Sequence, residues 1–338
     1  MQKTITHGSM ARIKALSDHA LIGLAANLPK PASKPALSMS PITLEVPQRS
    51  VPLQLRISVP AQARAALPII LLSHGHGRSN NLSSLHGYGA LVDHWSAHGF
   101  AVIQPTHLSS KTLSLTDHPD APLFWRSRVD DMSTVIDRLD EIEDAAPFLS
   151  RGSLDRDRIA VAGHSLGGHT ACLLLGTQTI DPKDDSVVNL YDPRIKAGLI
   201  LAAPGSGGKD LSATAYENYT ILRHPDFSTM KTPALVVVGD EDVGPHLTVR
   251  GADWHADPYT RAPGPKSLLT LKGGKHGLGG VSGYDAKECD DESPERVAVL
   301  QRMTAAYLRS ELYDECNSWS EACKALEGVS ELGFVEYK

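Results

Sequence analysis

Residues 161–170 read VAGHSLGGHT, which sets Ser165 between Gly163 and Gly167 where an apolar run gives way to a helix-like pattern. A serine hydroxyl is a poor nucleophile at neutral pH; it needs a base to take its proton and dipoles to receive an oxyanion. G-x-S-x-G alone is only moderately specific, so context decides. RIAVAG precedes it as a strand, LGGHTACLLLGT follows as a helix, and the flanking glycines let backbone pass close by. The start of such a helix aims free N–H groups and a positive dipole end at developing negative charge. The two other roles follow downstream in the order acid, base. PALVVVGDED ends in Asp240, Glu241 and Asp242, and after one more apolar run SLLTLKGGKHG supplies His276. On residue type alone Asp240 and Asp242 both remain open as the acid, and a charged turn capping a strand is the bland reading of the same residues.

These side chains need a scaffold, and the chain has the pattern for one. It has 338 residues, 41% of them hydrophobic, enough to bury one large core. LPIILLSH, GFAVIQP, RIAVAGH, KAGLILAAP and TPALVVVGD are continuous aliphatic runs, as strands covered on both faces require, whereas LQLRISV alternates like a half-exposed strand. Between them, Val129, Met132, Val135, Ile136, Leu139 and Ile142 share one face of a helix predicted over 126–144, with Asp130, Asp137, Arg138, Glu141 and Asp144 opposite. Alternating strands and helices imply a mostly parallel sheet whose ligands bind beyond the carboxyl ends of the strands. With 33 Lys and Arg against 39 Asp and Glu, the net charge is −6, and no basic tract suits a phosphate backbone, so nucleic acid is not an expected partner. No apolar run approaches the ~18 residues of a membrane span.

At the Ser, Asp, His order the chain resembles the α/β-hydrolase superfamily. Within it, over about residues 51–312, it is similar to the branch holding platelet-activating-factor acetylhydrolases, chlorophyllases, dienelactone-hydrolase-like proteins and polyester hydrolases. The resemblance implies an α/β-hydrolase fold, a mostly parallel central sheet flanked by helices on both faces. It places the acid on Asp242, three residues after the strand-ending Gly239, with Asp240 the runner-up. It also implies an oxyanion hole from the backbone N–H groups of His76, in LLSHGHGRSNN, and Leu166. The implied activity is hydrolysis of small-molecule or polymeric carboxylic esters through an acyl-enzyme on Ser165, with no cofactor and no metal. Thioesterases, amidases and acyltransferases use the same parts.

Rival readings come from other classes. His74 and His76 form an H-x-H, but the accompanying ligands of a hydrolytic zinc site are missing around them. APGSGGKD lacks the first Gly and final Ser or Thr of a phosphate loop, and GLGGVSG misplaces the third Gly of G-x-G-x-x-G. A non-catalytic ligand-binding module would be expected to lose one of the three roles, and all three are filled. His164 and His169 read as packed neighbours of the nucleophile. The loops 106–126, 204–230 and 244–264 are too short for a large cap domain and supply the expected substrate wall: Phe124, Trp125, Trp254 and Tyr259, with Leu278 just past His276. Such a wall favours hydrophobic esters of short to medium acyl length.

Residues 1–50, rich in Pro, Ser and Lys, are expected to form an extended arm whose first ten residues are open to being vector-derived. Residues 51–315 then form the catalytic domain and 316–338 a helical extension packed on it. ALIGLAAN is short for a signal-peptide core and follows Asp18, which favours a cytoplasmic protein, secretion being the alternative if a leader has been removed. Cys172 reads as core, and Cys316 and Cys323 are close enough in sequence to pair. The oligomeric state is not legible.

Overall fold

The computed structural model describes residues 21–62, 65–313 and 317–338. Cys316 and the first ten residues lie outside the described residues. Eleven strands are described: β1 (Ala36–Leu44), β2 (Leu53–Pro60), β3 (Leu67–Ser73), β4 (Ala101–Pro105), β5 (Leu154–His164), β6 (Gln178–Ile180), β7 (Val187–Asn189), β8 (Ile195–Leu201), β9 (Ala234–Gly239), β10 (Lys266–Leu271) and β11 (Gly333–Tyr337). Nine of them form one sheet in the order β1-β2-β4-β3-β5-β8-β9-β10-β11, in which β4, β3, β5, β8, β9 and β10 run parallel and β2 and β11 are antiparallel to their inner neighbours. β6 and β7 pair separately.

The aliphatic runs form the centre of this sheet because both faces of it are covered. Every residue of β3, β4, β8 beyond its second position, β9 and β10 is buried. Alternation divides them: Ile69 and Leu71 join one apolar cluster, Ile70 and Leu72 the other. The first face is covered by α2 (Trp125–Asp137), α3 (Leu139–Ala145) and α4 (Leu166–Leu174), the second by α1 (Gly89–Ala97), α7 (Pro294–Leu312) and α8 (Ser318–Glu327). Among the described residues, the connections over the carboxyl edge hold only the short helices α5 (Ala213–Asn218) and α6 (Asp257–Thr260) and 3-10 turns. The α/β fold, with its mostly parallel sheet between two helical layers, is as the sequence indicates.

The apolar stripe from Val129 to Ile142 is buried throughout, but the single helix read over 126–144 is two. It breaks at Arg138 (φ −115°, ψ 27°), whose guanidinium reaches the carbonyl of Glu45 at 2.6 Å and also pairs with Glu141. Cys172 is buried, as read. No helix among the described residues is long and apolar enough to cross a membrane.

The domain ends need correction. Residues 36–44, expected to be part of an extended arm, pair along β2 and bury Ile42 and Leu44, because β2 would otherwise be an open edge carrying an apolar face. At the other end, α8 is helical as expected, but residues 333–337 form β11 and close the far edge on β10. The sheet therefore draws on residues 36–337 rather than 51–315. Ile42→Ala should lower unfolding stability by about 2 kcal/mol in denaturant titration, as removal of a core side chain does; a loss under about 0.5 kcal/mol, the level of a surface change, would return this segment to a loose arm.

Candidate active site

Parallel registry brings the ends of β3, β5, β8, β9 and β10 to one edge. Ser73 is level with Gly163, His164 with Leu201, Leu201 with Val237, and Gly239 with Leu271. His76, Ser165, Leu166, Asp242 and His276 each lie within a few residues past one of these ends.

Ser165 follows β5 directly and precedes α4, with φ 56° and ψ −120°, a conformation that L-residues avoid. Its neighbours permit this. A Cβ on Gly163 would lie 2.0 Å from the carbonyl oxygen of Gly167, and one on Gly167 would lie 2.0 Å from that of Ser73. Both glycines are required by close approach of backbone, which is the physical content of G-x-S-x-G. Leu166 is the first residue of α4, so its N–H belongs to the first turn of the helix, where backbone N–H groups have no partner within the helix.

His276 Nε2 is 2.9 Å from Ser165 Oγ, and His276 Nδ1 is 3.0 Å from Asp242 Oδ2. Of the two acids left open by the sequence, Asp242 faces the imidazole; Asp240 instead accepts the Gly273 N–H at 2.7 Å and pairs with Lys272. The acid and base loops are held together at Gly239 and Gly274, where a Cβ on Gly239 would overlap the Gly274 carbonyl oxygen at 2.1 Å. Burial by itself would lower the His276 pKa, but the charge and hydrogen bond of Asp242 outweigh it and hold His276 above its ordinary value of 6.5. Burial likewise works to raise Asp242, and the imidazoles around it bring it below the ordinary carboxylate range.

His76 follows β3 by three residues, and its loop is fixed from beneath by buried polar groups. Arg128, fully buried in α2, donates to Ser73 Oγ at 3.1 Å, Ser109 Oγ at 2.6 Å, Thr170 Oγ1 at 3.0 Å and the carbonyl of His74. Ser73 Oγ lies 2.9 Å from His107 Nε2, and His107 Nδ1 is 2.8 Å from Asp131, which also holds Arg49. His74, the other half of the H-x-H, has both ring nitrogens engaged: Nδ1 with the Gly75 carbonyl at 2.7 Å, and Nε2 with the His107 N–H at 3.2 Å.

Tyr88, unlike His164, gave no signal in the sequence. Tyr88 and His164 connect the two sides of the site: Gly75 N–H donates to Tyr88 Oη at 2.9 Å, Tyr88 Oη lies 3.1 Å from His164 Nδ1, and His164 Nε2 is 2.7 Å from the His276 carbonyl oxygen. Since that carbonyl accepts, His164 is protonated at Nε2 and takes the Tyr88 hydroxyl proton at Nδ1. Burial, then the neighbouring His276, lowers its pKa to about 3, so it is a neutral packed neighbour, as its position beside the serine suggested. His255 is also unforeseen. It lies 3.2 Å from Asp242 through Nε2 and 2.7 Å from the Ala203 carbonyl through Nδ1. Asp242, His255 and His276 offer three donor atoms within 4.8 Å of one another, a spacing that suits an ion, although Asp242 Oδ2 and His276 Nδ1 already hydrogen-bond each other at 3.0 Å.

The expected substrate wall is only partly a wall. Phe124 lines a cleft of about 370 Å3 that also includes His76, Leu108, Lys111, Leu115 and Pro122. Trp125 is half-buried against the first apolar cluster, with the Arg126 guanidinium 4.9 Å over its ring. Trp254, Tyr259 and Leu278 do not face this cleft. Trp254 is fully buried and its indole N–H donates to the Ser206 carbonyl at 2.8 Å, because the 244–264 loop turns inward to deliver His255 behind the acid. Tyr259 packs near the start of β10, at the opposite end of that strand from His276, with Lys338 Nζ 5.0 Å from its ring. Leu278 points into the second core cluster.

The model of the chlorophyllase family matches residues 33–193 of this chain. This is an α/β-hydrolase-like family, in agreement with the branch the sequence resembles, and it supports serine ester hydrolysis in general terms. The matched segment contains His76, Ser165 and Leu166 and ends before Asp242, His255 and His276. No curated protein matches the chain.

If Asp242 is the charge that holds His276 above its ordinary pKa, Asp242→Asn should move the His276 titration, followed by NMR of the imidazole, to lower pH, whereas Asp240→Asn should leave it in place. The stability linked to this raised value is present below pH ~6.5 and is lost as pH rises through the folded-state pKa. A larger shift in Asp240→Asn would reassign the acid.

Proposed function

We propose that the chain hydrolyses carboxylic esters through a covalent acyl-enzyme on Ser165. The observation that carries this is the unbroken contact from Ser165 Oγ to His276 Nε2 at 2.9 Å and from His276 Nδ1 to Asp242 Oδ2 at 3.0 Å, at a strained strand-to-helix turn. In this reading His276 takes the hydroxyl proton as Ser165 attacks the ester carbonyl, and Asp242 fixes the Nδ1–H tautomer and stabilises the imidazolium. The N–H groups of His76 and Leu166 receive the oxyanion. His276 then protonates the departing alcohol, and water repeats the sequence on the acyl group to regenerate Ser165.

The proposed substrate is a hydrophobic ester of short to medium acyl length, either a small molecule or an accessible unit of a polymer. The cleft of about 370 Å3 beside His76 supports this, since it falls toward the lower end of the range for ligand sites, ~300–1,000 Å3. Its apolar part comes from Leu108, Leu115, Pro122 and Phe124, and among the described residues no cap domain encloses a long chain. Each methylene accommodated would contribute up to ~0.8 kcal/mol, so specificity should climb over the first few carbons and then fall. The residues to test for chain-length discrimination are Leu115 and Phe124, in place of the buried Trp254.

Ser165→Ala should reduce ester turnover by roughly 10⁴-fold or more with the thermal unfolding curve preserved. Retention of a tenth of the activity would remove the serine mechanism. Across p-nitrophenyl esters of two to sixteen carbons, kcat/KM should peak at intermediate length. Leu115→Trp should lower it more for the longer esters than for acetate; equal losses at every length would detach the cleft from the acyl group.

A further inference from the structure

Arg302 is a guanidinium in the interior that no carboxylate matches among the described residues. It lies in the middle of α7, is 6% exposed, and donates through Nη1 to the carbonyl oxygens of Ala25, Ala26 and Leu28 at 2.7, 3.0 and 2.5 Å. Those acceptors are neutral. Burial works against its charge, and no hydrogen bond or ion pair among the described residues engages Nε or Nη2. These two nitrogens carry three N–H groups along one edge of the guanidinium plane, the fork that fits two oxygens of one anion. A buried cation is ordinarily paired, because leaving it alone is costly.

The same side chain lines a cavity of about 250 Å3 between α1, α7, the start of α8 and the segment ahead of β1. Lys30 and Arg309 line it too, so three cations face one carboxylate, that of Glu321. Glu321 is exposed on α8, and none of the ion pairs among the described residues joins it to these cations. Arg309 donates to the His98 carbonyl at 3.4 Å, whereas no hydrogen bond or ion pair among the described residues holds Lys30. On α1, His94 contributes a second unpartnered group: its Nε2 is buried and has no hydrogen-bond partner among the described residues. Burial, then His98, Lys30 and Arg302, lowers the His94 pKa to about 3, so the ring is neutral and has one N–H to give.

We infer that this cavity is a binding site for a phosphate group, free or as a small monoester, held by the Arg302 fork with Lys30 and His94 as further donors. The number of donors selects the anion. The fork alone takes up both oxygens of a carboxylate, whereas a phosphate offers at least one more to the Lys30 ammonium and the His94 N–H. A volume below the ~300 Å3 at which sites for drug-sized ligands begin suits a group of this size. Because its partners come from α1, α7 and the segment ahead of β1, the anion stabilises the folded chain. The site shares no residue with Ser165, His276 or Asp242, so the inference stands apart from the ester-hydrolase reading.

The test is titration calorimetry and thermal unfolding of the full chain with inorganic phosphate and methyl phosphate, at an ionic strength held constant with sodium chloride. Phosphate should bind saturably and raise the unfolding midpoint with its concentration, while acetate should leave it in place. Lys30→Ala, a surface change, should weaken binding about tenfold, the worth of one charge-assisted hydrogen bond. Arg302→Lys should weaken it at least as much, since an ammonium can still cap the three carbonyls but has no fork; if that variant unfolds, Lys30→Ala decides. The His94 imidazole resonance, identified by its loss in His94→Gln, should move on addition of phosphate. Tighter binding of methyl phosphate would assign the site to a monoester and tighter binding of inorganic phosphate to the free ion, and either supports the inference. No saturable heat with either probe, unchanged affinity in Lys30→Ala, a His94 resonance that stays in place, or an equal rise in midpoint with acetate would each overturn it.

Discussion

The carbonyl oxygen of Ser73 lies where a side chain on Gly167 would have to be, and that contact between the end of β3 and the first turn of α4 governs the geometry of the whole site. It brings α4 down onto the sheet edge, so the chain leaving β5 has only one residue in which to turn. Ser165 takes that turn at a positive φ, a cost of about 1–3 kcal/mol that persists because the surroundings fix both ends. Every residue of α4 is buried and β5 is paired on both sides, so relaxing the turn would mean moving the core. Ser165 is left half-buried at the edge, where its hydroxyl meets His276 Nε2.

The loop opposite is fixed by a different kind of interaction. Arg128, Asp131, His107 and Arg49 are charged or titratable groups placed in the interior, where each would be costly alone. Together they form a connected set in which Arg128 serves Ser73, Ser109, Thr170 and the His74 carbonyl, and Asp131 serves Arg49 and His107. That network ties β3, α2 and α4 to the segment carrying His76. A satisfied buried polar network supplies the rigidity that a surface loop lacks.

Histidines of the same type end up in different states within a few ångströms. His164 bridges the Tyr88 hydroxyl and the His276 carbonyl, and burial keeps it neutral. His276 faces a carboxylate and titrates above its ordinary value. His74 is neutral because one of its nitrogens accepts a backbone N–H. Partner and burial assign these states, and the residue type does not.

The sequence by itself determined the scaffold and the position of the serine, because both are local. Continuous aliphatic runs require strands buried on two faces; the stripe from Val129 to Ile142 requires a helix against a core; and glycines on both sides of Ser165 report a turn too tight for side chains. The ends of the sheet were not legible, since β1 and β11 are short or mostly exposed strands whose only reason to form is an edge supplied by distant residues. On residue type alone Asp242 and Asp240 could not be told apart, being two residues apart on one turn, and only the family resemblance favoured Asp242; the geometry depends on how the loop after β9 meets Gly274, more than thirty residues on. Trp254 and Tyr259 read as exposed wall and proved to be core for the same reason: a loop residue's burial depends on which part of the fold the loop crosses. His255 had no sequence signal at all. What places it on Asp242 is the packing of Trp254 and Asp257 around Ser206, a contact between segments about fifty residues apart that only the closed tertiary structure brings together.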